Sequence, residues 1–427
     1  MKLINVIKKI LSPKILWGFI SPSVYLDAVQ VRQAKDLIEN EDESYIMQFE
    51  KQLSEELGGG KVTAFASGRM AFYAILQSLG IQKGDEIILT GFTCSVMVNA
   101  VVRCGATPVY VDIDADTLGT SPESLRKCIT SATKVIVAQH SFGIPCRIDE
   151  IQKIARGHHI FLVEDCALSF LSSYKGVILG NWGDAAIFST DHTKPMNTLI
   201  GGFAYTHDRD LNEGFHNIYN QADSLSKGHC EKILAQYIKE NKLERVNHKL
   251  FIIRQYWGIV RDKLHLGGTY SPYLLNDSFS EIKQESYYPY PAKMPSFLAY
   301  IGLSVLDEYI RTIQDKKEFL DLLLNHFKDA DIVIPKMYFY SLADIVPLRF
   351  CFLCNDANRL KKLRSRTDGW IWFQAPIIST VDSLSSFGYQ NGCCPIAEQI
   401  GGSIMNLPIP EKVNVKNKLI NKFKKYI

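Results

Sequence analysis

Charge of one sign is what this chain lacks most: over 427 residues, 48 Lys and Arg stand against 45 Asp and Glu, a formal net charge of +3. A balance that close gives no electrostatic footprint for nucleic acid, and the aromatic residues do not interleave with basic clusters as an RNA-binding surface requires. Nor does any continuous apolar run reach the roughly 18 residues that a membrane span needs. Internal repeats and low-complexity tracts are absent, which excludes a solenoid or a disordered linker protein. Ten cysteines are present, but they make no metal framework. The one CxxC, Cys351-Phe-Leu-Cys354, lies in an apolar, strand-like run where positions three apart face opposite ways, and no second pair completes a zinc site. We read Cys104, Cys128, Cys166 and the adjacent Cys393-Cys394 as packing, the thiols as reduced and the chain as cytoplasmic.

The N-terminal stretch MKLINVIKKILSPKILWGFI starts like a secretion signal, yet Lys8, Lys9 and Lys14 interrupt its apolar run. Leu3, Ile4, Ile7, Ile10 and Leu11 recur at helical spacing, which predicts a short amphipathic helix ending before Pro13. Peripheral membrane contact is one reading of such a basic helix; an arm packed on its own body is the plainer one, and we favour it.

From Phe49 onward short apolar strands alternate with amphipathic helices: Val62 to Ala66, Arg69 to Leu79, Glu86 to Leu89, Ser95 to Arg103, Pro108 to Val111, Ser121 to Ile129, Lys134 to Ala138, Ile148 to Ala155 and Ile160 to Val163. Apolar strands separated by helices predict an α/β fold with a mostly parallel central sheet covered on both faces. Residues 209–285 lose this rhythm and read as helical, with Glu231 to Tyr237 and Phe251 to Val260 as stretches. Helices then return over Phe297 to Tyr309 and Phe319 to Phe327, with strands expected at Tyr338 to Tyr340 and Leu348 to Cys354. The expected organisation is an N-terminal arm (1–48), a large domain (49–208), a helical insertion (209–295) and a small C-terminal α+β domain (296–427).

Ligands of such a sheet bind at the carboxyl ends of its strands. Four places follow. Ser67-Gly68-Arg69 opens a helix, where backbone amides suit a phosphate, although a Ser-Gly turn that only caps the helix looks the same. Glu164-Asp165 follows a strand and can hold a metal, act as a base, pair with a protonated ring nitrogen, or merely cap. Ser189 ends the apolar run Ala185 to Phe188, and Lys194 lies five residues on, before Gly201-Gly202; a partly desolvated lysine is a candidate Schiff-base nucleophile. Phe92-Thr93-Cys94 follows another strand and offers a wall for a flat ring, with core packing the default for Phe92. An anion-binding helix start, a strand-end carboxylate and a downstream lysine are together what pyridoxal 5'-phosphate requires.

These residues sit in longer matching pieces: FEKQLSEELGGG, the run from ASGRMAFYAIL to VYVDID, TKVIVAQHSFGIPCRIDEI, FLVEDCALSF, GDAAIFSTDHTKPMNTLIGG and CPIAEQIGGSIMNLPIP. From about Phe49 to the C-terminus the chain resembles the DegT and StrS family of pyridoxal 5'-phosphate-dependent sugar aminotransferases, which have the aspartate-aminotransferase fold (fold type I). The resemblance implies Lys194 as Schiff-base lysine and proton carrier, Asp165 as the partner of the pyridine nitrogen, and Ser67, Gly68, Arg69 and Ser189 around the phosphate, with Cys94 beside the ring. It implies a homodimer that moves an amino group from glutamate to a nucleotide-linked keto sugar for a surface polysaccharide, glycan or secondary metabolite.

The departures are Arg69 where many members have Thr, Cys94 in place of a stacked aromatic, Leu168 in place of Gln or His, and Tyr288-Pro-Tyr-Pro-Ala-Lys293-Met294 without the asparagine that in relatives reaches the neighbouring subunit. A sugar dehydratase of the same fold is a second reading, but those relatives lose the lysine. A non-catalytic, regulatory family member is a third.

Overall fold

The computed structural model describes residues 25–246, 288–366, 372–378, 383–409 and 420. The N-terminal amphipathic helix and the stretch Phe251 to Val260 lie outside the described residues. In chain order the elements are helices α1 (Ala28–Glu39) and α2 (Ser44–Leu57), strand β1 (Lys61–Phe65), α3 (Gly68–Ser78), β2 (Glu86–Thr90), β3 (Thr93–Cys94), α4 (Ser95–Arg103), β4 (Thr107–Val111), α5 (Pro122–Cys128), β5 (Thr133–Gln139), α6 (Ile148–His158), β6 (Phe161–Asp165), β7 (Ser173–Tyr174), β8 (Val177–Ile178), β9 (Ala185–Ser189) and β10 (Gly202–Thr206). There follow α7 (Arg209–Gln221), α8 (Lys227–Val246), α9 (Ser296–Phe327), β11 (Ala343–Asp344), β12 (Arg349–Leu353), α10 (Ala357–Arg366), β13 (Ile377–Ile378), α11 (Pro395–Ser403) and β14 (Ile404–Pro408).

Seven strands form the central sheet in the order β1-β10-β9-β6-β5-β2-β4. Pairing is parallel throughout except at β10, which runs antiparallel to both neighbours, so the other six strands end on one edge. This is the mostly parallel α/β sheet that the alternating apolar runs predict. Each of these strands except β4, at the sheet's edge, is buried along most of its length because helices cover both faces.

Several local expectations need correction. Phe297 to Tyr309 and Phe319 to Phe327 belong to one continuous helix, α9, because no glycine or proline breaks the segment between them and its apolar positions keep helical spacing. Tyr338 to Tyr340 is not a strand: Lys336–Phe339 makes a short 3-10 turn after Pro335. The boundary expected between residues 48 and 49 falls inside α2, which starts at Ser44 and packs with α1 against α9.

The outer edge of β1 is where a carboxylate meets the sheet. Glu50 of α2 accepts the Ala64 amide at 2.8 Å, and Ala66 donates to the Ala292 carbonyl at 3.0 Å, so the exposed side of this edge strand is hydrogen-bonded. Burial pushes the Glu50 carboxyl up to about 7, against the pull of that amide. A folded pKa above the unfolded one contributes stability that is complete below the unfolded value and disappears as pH rises through the folded value. Glu50→Gln, which keeps an acceptor without the charge, is expected to flatten the fall in melting temperature between pH 5 and pH 8; an unaltered slope would contradict this.

The C-terminal elements dock on the β2 and β4 side. Asp112, just past β4 and 6% exposed, accepts the Ile396 amide at 2.8 Å and the Ala397 amide at 2.9 Å at the start of α11. A carboxylate there satisfies two amides and opposes the helix dipole. Nearby, Thr93 donates its amide to the Pro376 carbonyl at 2.9 Å, and β13 pairs in parallel with β3. Asp112→Ala should cost about 1–3 kcal/mol by chemical denaturation, because the two α11 amides would be left without their acceptor.

Candidate active site

The carboxyl ends of β1, β2, β5, β6 and β9 share one edge of the sheet, and the residues singled out above gather there. At β1, Ser67 caps α3 by accepting the Met70 amide at 3.4 Å, leaving Gly68 and Arg69 in the first helical turn. Three backbones converge on that turn. A Cβ on Gly202 would lie 2.3 Å from the Gly68 nitrogen, and a Cβ on Gly68 would lie 3.0 Å from the Phe188 carbonyl and from Ser189 Cβ. Only glycine permits this approach, and it sets Ser189, which ends β9, beside the start of α3. Tyr288 to Met294 runs along the same turn within this chain: Tyr290 donates to the Arg69 carbonyl at 3.4 Å, and residue 293 bridges to Phe65.

Glu164 and Asp165 are the last two residues of β6, which ends two residues later than expected, and as neighbours on a strand they face opposite ways. Glu164, fully buried, turns from the site. Its carboxylate accepts the Trp182 and Gly183 amides at 2.7 Å each and the Gly180 amide at 2.9 Å, and lies 3.1 Å from His140 Nε2. The Cys146 amide donates to His140 Nδ1 at 3.1 Å, which places the ring proton on Nε2 toward Glu164. His140, Glu164 and Cys166 offer ligand atoms within 4.8 Å of one another, but the first two spend theirs on these bonds, so the metal and base readings of Glu164 give way to a structural one.

Asp165 faces the site. It is 7% exposed and accepts the Ala167 amide at 3.0 Å. Burial raises its pKa, opposed by that amide and by the Lys194 charge. Lys194 therefore lies within electrostatic reach of Asp165. The lysine is half-buried in the turn from Ser189 to Gly202, which is tightly braced: Thr190 and Thr198 join hydroxyls at 2.7 Å, the Thr198 hydroxyl donates to the Ile200 carbonyl at 2.6 Å, and the Lys194 amide donates to the Asp191 carbonyl at 2.9 Å. Burial pushes the Asp191 carboxyl up, but His192, Lys194 and Arg69 outweigh it and hold it down at about 2. Two cationic side chains, Lys194 and Arg69, and the His192 ring thus act on one carboxylate between the helix start and the lysine.

Cys94 is half-buried at the N-cap of α4 and makes no side-chain cap bond. Phe92 is fully buried against Phe373, with ring centroids 4.7 Å apart, so it is core. Leu168 is 5% exposed, an apolar side chain that cannot donate to a ring substituent. Three residues at the site went unremarked in the sequence. Asp191 and His140 each stand within two residues after a strand, and the strand-end rule could have flagged them. Trp372, whose ring centroid lies 5.4 Å from Lys194 Nζ, arrives from the C-terminal elements and carries no local signal.

Residues 27–236 match the DegT/DnrJ/EryC1/StrS aminotransferase family. Over that span, just under half of its length, the chain is similar to this family. Together with the matches below, this similarity makes it an enzyme dependent on pyridoxal 5'-phosphate. Among similar proteins is the GDP-perosamine synthase of Escherichia coli O157:H7, 27% identical over 372 residues, 86% of this chain and 85% of that one. A DegT DnrJ EryC1 StrS aminotransferase from Brucella abortus superposes with a TM-score of 0.69 at 18% identity, covering 93% of this chain and 95% of that one. An E. coli GDP-4-keto-6-deoxy-D-mannose-3-dehydratase with bound hydrated PLP does so with a TM-score of 0.69 at 19% identity, covering 95% and 99%. At such identities the solved structures speak for the fold alone. Within it, the residues of this chain suit the cofactor: a glycine-lined cradle at a helix start, a buried carboxylate and a lysine on a rigid turn. Among the described residues no helix is long and apolar enough to cross a membrane.

Proposed function

We propose that this enzyme transfers an amino group from glutamate to a keto sugar carried on a nucleotide. The observation that carries the reading is the convergence of Lys194 and Asp165 at one sheet edge beside the Gly68 cradle. Bound there, pyridoxal 5'-phosphate supplies an aldehyde that carries the amino group and a ring that withdraws electrons. The α3 amides at Gly68 and Arg69, with the Ser67 and Ser189 hydroxyls, receive the phosphate. Asp165, shielded from water, would pair with the ring nitrogen and keep it protonated, and Cys94 would stand beside the ring. Lys194 Nζ holds the aldehyde, and once displaced it accepts the proton that leaves the donor's α-carbon and returns one to the acceptor.

A sugar substrate agrees with the likeness to GDP-perosamine synthase over most of both chains. The dehydratase shares only the fold, and Lys194, which aminotransfer uses and such dehydratases lack, favours aminotransfer over that reading. We place the enzyme in the cytoplasm as a homodimer, serving a pathway to a surface polysaccharide, glycan or secondary metabolite. The test has two stages. Glutamate added to the loaded enzyme should discharge the lysine-bound cofactor absorbance and release 2-oxoglutarate. A panel of nucleotide-linked keto sugars should then restore it. Absorbance untouched by glutamate and by other amino donors would overturn the proposal.

A further inference from the structure

The terminal motif SIMNLPIP contributes Asn406, which the chemistry above does not use. It lies on β14, 1% exposed, opposite Cys351 of β12. Its amide carbonyl accepts Arg349 Nη1 at 3.0 Å, and its amide nitrogen donates to the Trp372 backbone carbonyl. Arg349 is 3% exposed and sets its guanidinium carbon 4.7 Å from the centre of the Trp372 ring. Burial pulls that guanidinium down to about 10, so it stays charged at neutral pH. The segment that follows Trp372 is tied to the site by the β13 pairing with Thr93-Cys94. Trp372 is therefore held from behind by two buried polar side chains and from the side by a strand pair, and its ring centroid is 5.4 Å from Lys194 Nζ. An aromatic face stabilises a cation at this range, and more strongly where water is excluded.

We propose that Trp372 is a positioning residue for Lys194: whenever the lysine is free of the cofactor, the indole seats its ammonium, with Arg349 and Asn406 fixing the ring. The inference rests on the role given to Lys194 above. Around that ammonium, Asp165 from β6 and Asp191 in its own turn carry opposite charge. His192 pairs with Asp191 at 2.9 Å, Arg69 from α3 shares Asp191, and Arg349 lies against the same indole. The carboxylates remain when Trp372 is changed, so a shift on changing it reports the ring. Removal of the ring favours the neutral amine, the form that attacks an aldehyde.

The test strips the holoenzyme of cofactor with hydroxylamine and reloads it with pyridoxal 5'-phosphate between pH 6 and pH 10, following the rate of covalent attachment. In Trp372→Leu the midpoint of the pH–rate profile should move down by about 0.5–1 unit, and Trp372→Phe should restore most of it. Asn406→Ala, which frees the ring without removing it, should move the midpoint the same way by less. A merely structural role would lower the melting temperature and leave the midpoint in place, which overturns the proposal. Should Trp372→Leu fail to fold, an unmoved midpoint in Asn406→Ala overturns it instead. Covalent attachment that survives in Lys194→Ala would sink the role of the lysine itself, an outcome distinct from an unmoved midpoint.

Discussion

Lys194→Ala is expected to abolish covalent capture of pyridoxal 5'-phosphate and to lower aminotransfer by roughly 10⁴-fold or more, since the proposed chemistry gives one side chain two roles, attachment point and proton carrier. The size of the effect follows from how the turn is built. The Thr190–Thr198 hydroxyl pair and the Lys194 amide bond to Asp191 fix the path of the backbone that presents this lysine. Lys293, on the segment along the α3 turn, holds its ammonium 5.1 Å from the Tyr219 ring centre. Absorbance of the loaded protein and production of 2-oxoglutarate check both parts. Partial recovery with added methylamine would mark the loss as one of proton transfer and not of fold.

Asp165→Asn should reduce aminotransfer by roughly 10²–10⁴-fold while making the cofactor-free protein more stable at neutral pH. The two effects have one origin. Burial raises the Asp165 pKa from 3.8 in the cofactor-free protein. Its contribution to stability is therefore complete below the unfolded value and lost as pH rises through the folded one, where the buried charge works against folding. Asparagine still accepts the Ala167 amide without that charge. The melting temperature of the cofactor-free variant should exceed that of the parent at pH 7, with the gap closing toward pH 4. A variant that keeps full activity, or that melts lower at pH 7, would contradict this. A carboxylate that weakens the empty fold while serving the proposed chemistry is the trade-off expected of an active site.

How much of this was legible in the sequence depends on whether the signal was local. Strand and helix runs are local, so Ser95 to Arg103 emerges with the ends that its pattern predicts, and the parallel sheet follows from apolar runs between helices. The continuity of α9 was hidden because its middle, Ile310 to Glu318, is polar enough to read as a break. Tyr338 to Tyr340 read as a strand because aromatic composition outweighed the turn that Pro335 sets up. Glu164 and Asp165 were legible as a pair but not as opposites. Their separation needs the knowledge that β6 runs through both, which sends one to amides at 180–183 and the other to the site. Ser67, Gly68, Ser189 and Lys194 were legible because each ends or follows a strand. Trp372, Arg349 and Asn406 were not, since they reach the site from three separate places near the C-terminus and meet only in the folded chain.

The central claim is that Lys194 is the residue that holds the cofactor, and borohydride reduction of the loaded enzyme followed by peptide mapping tests it most directly. The account predicts the phosphopyridoxyl group on the peptide containing Lys194 and on no other lysine. Label on another lysine, or none after loading, would contradict it.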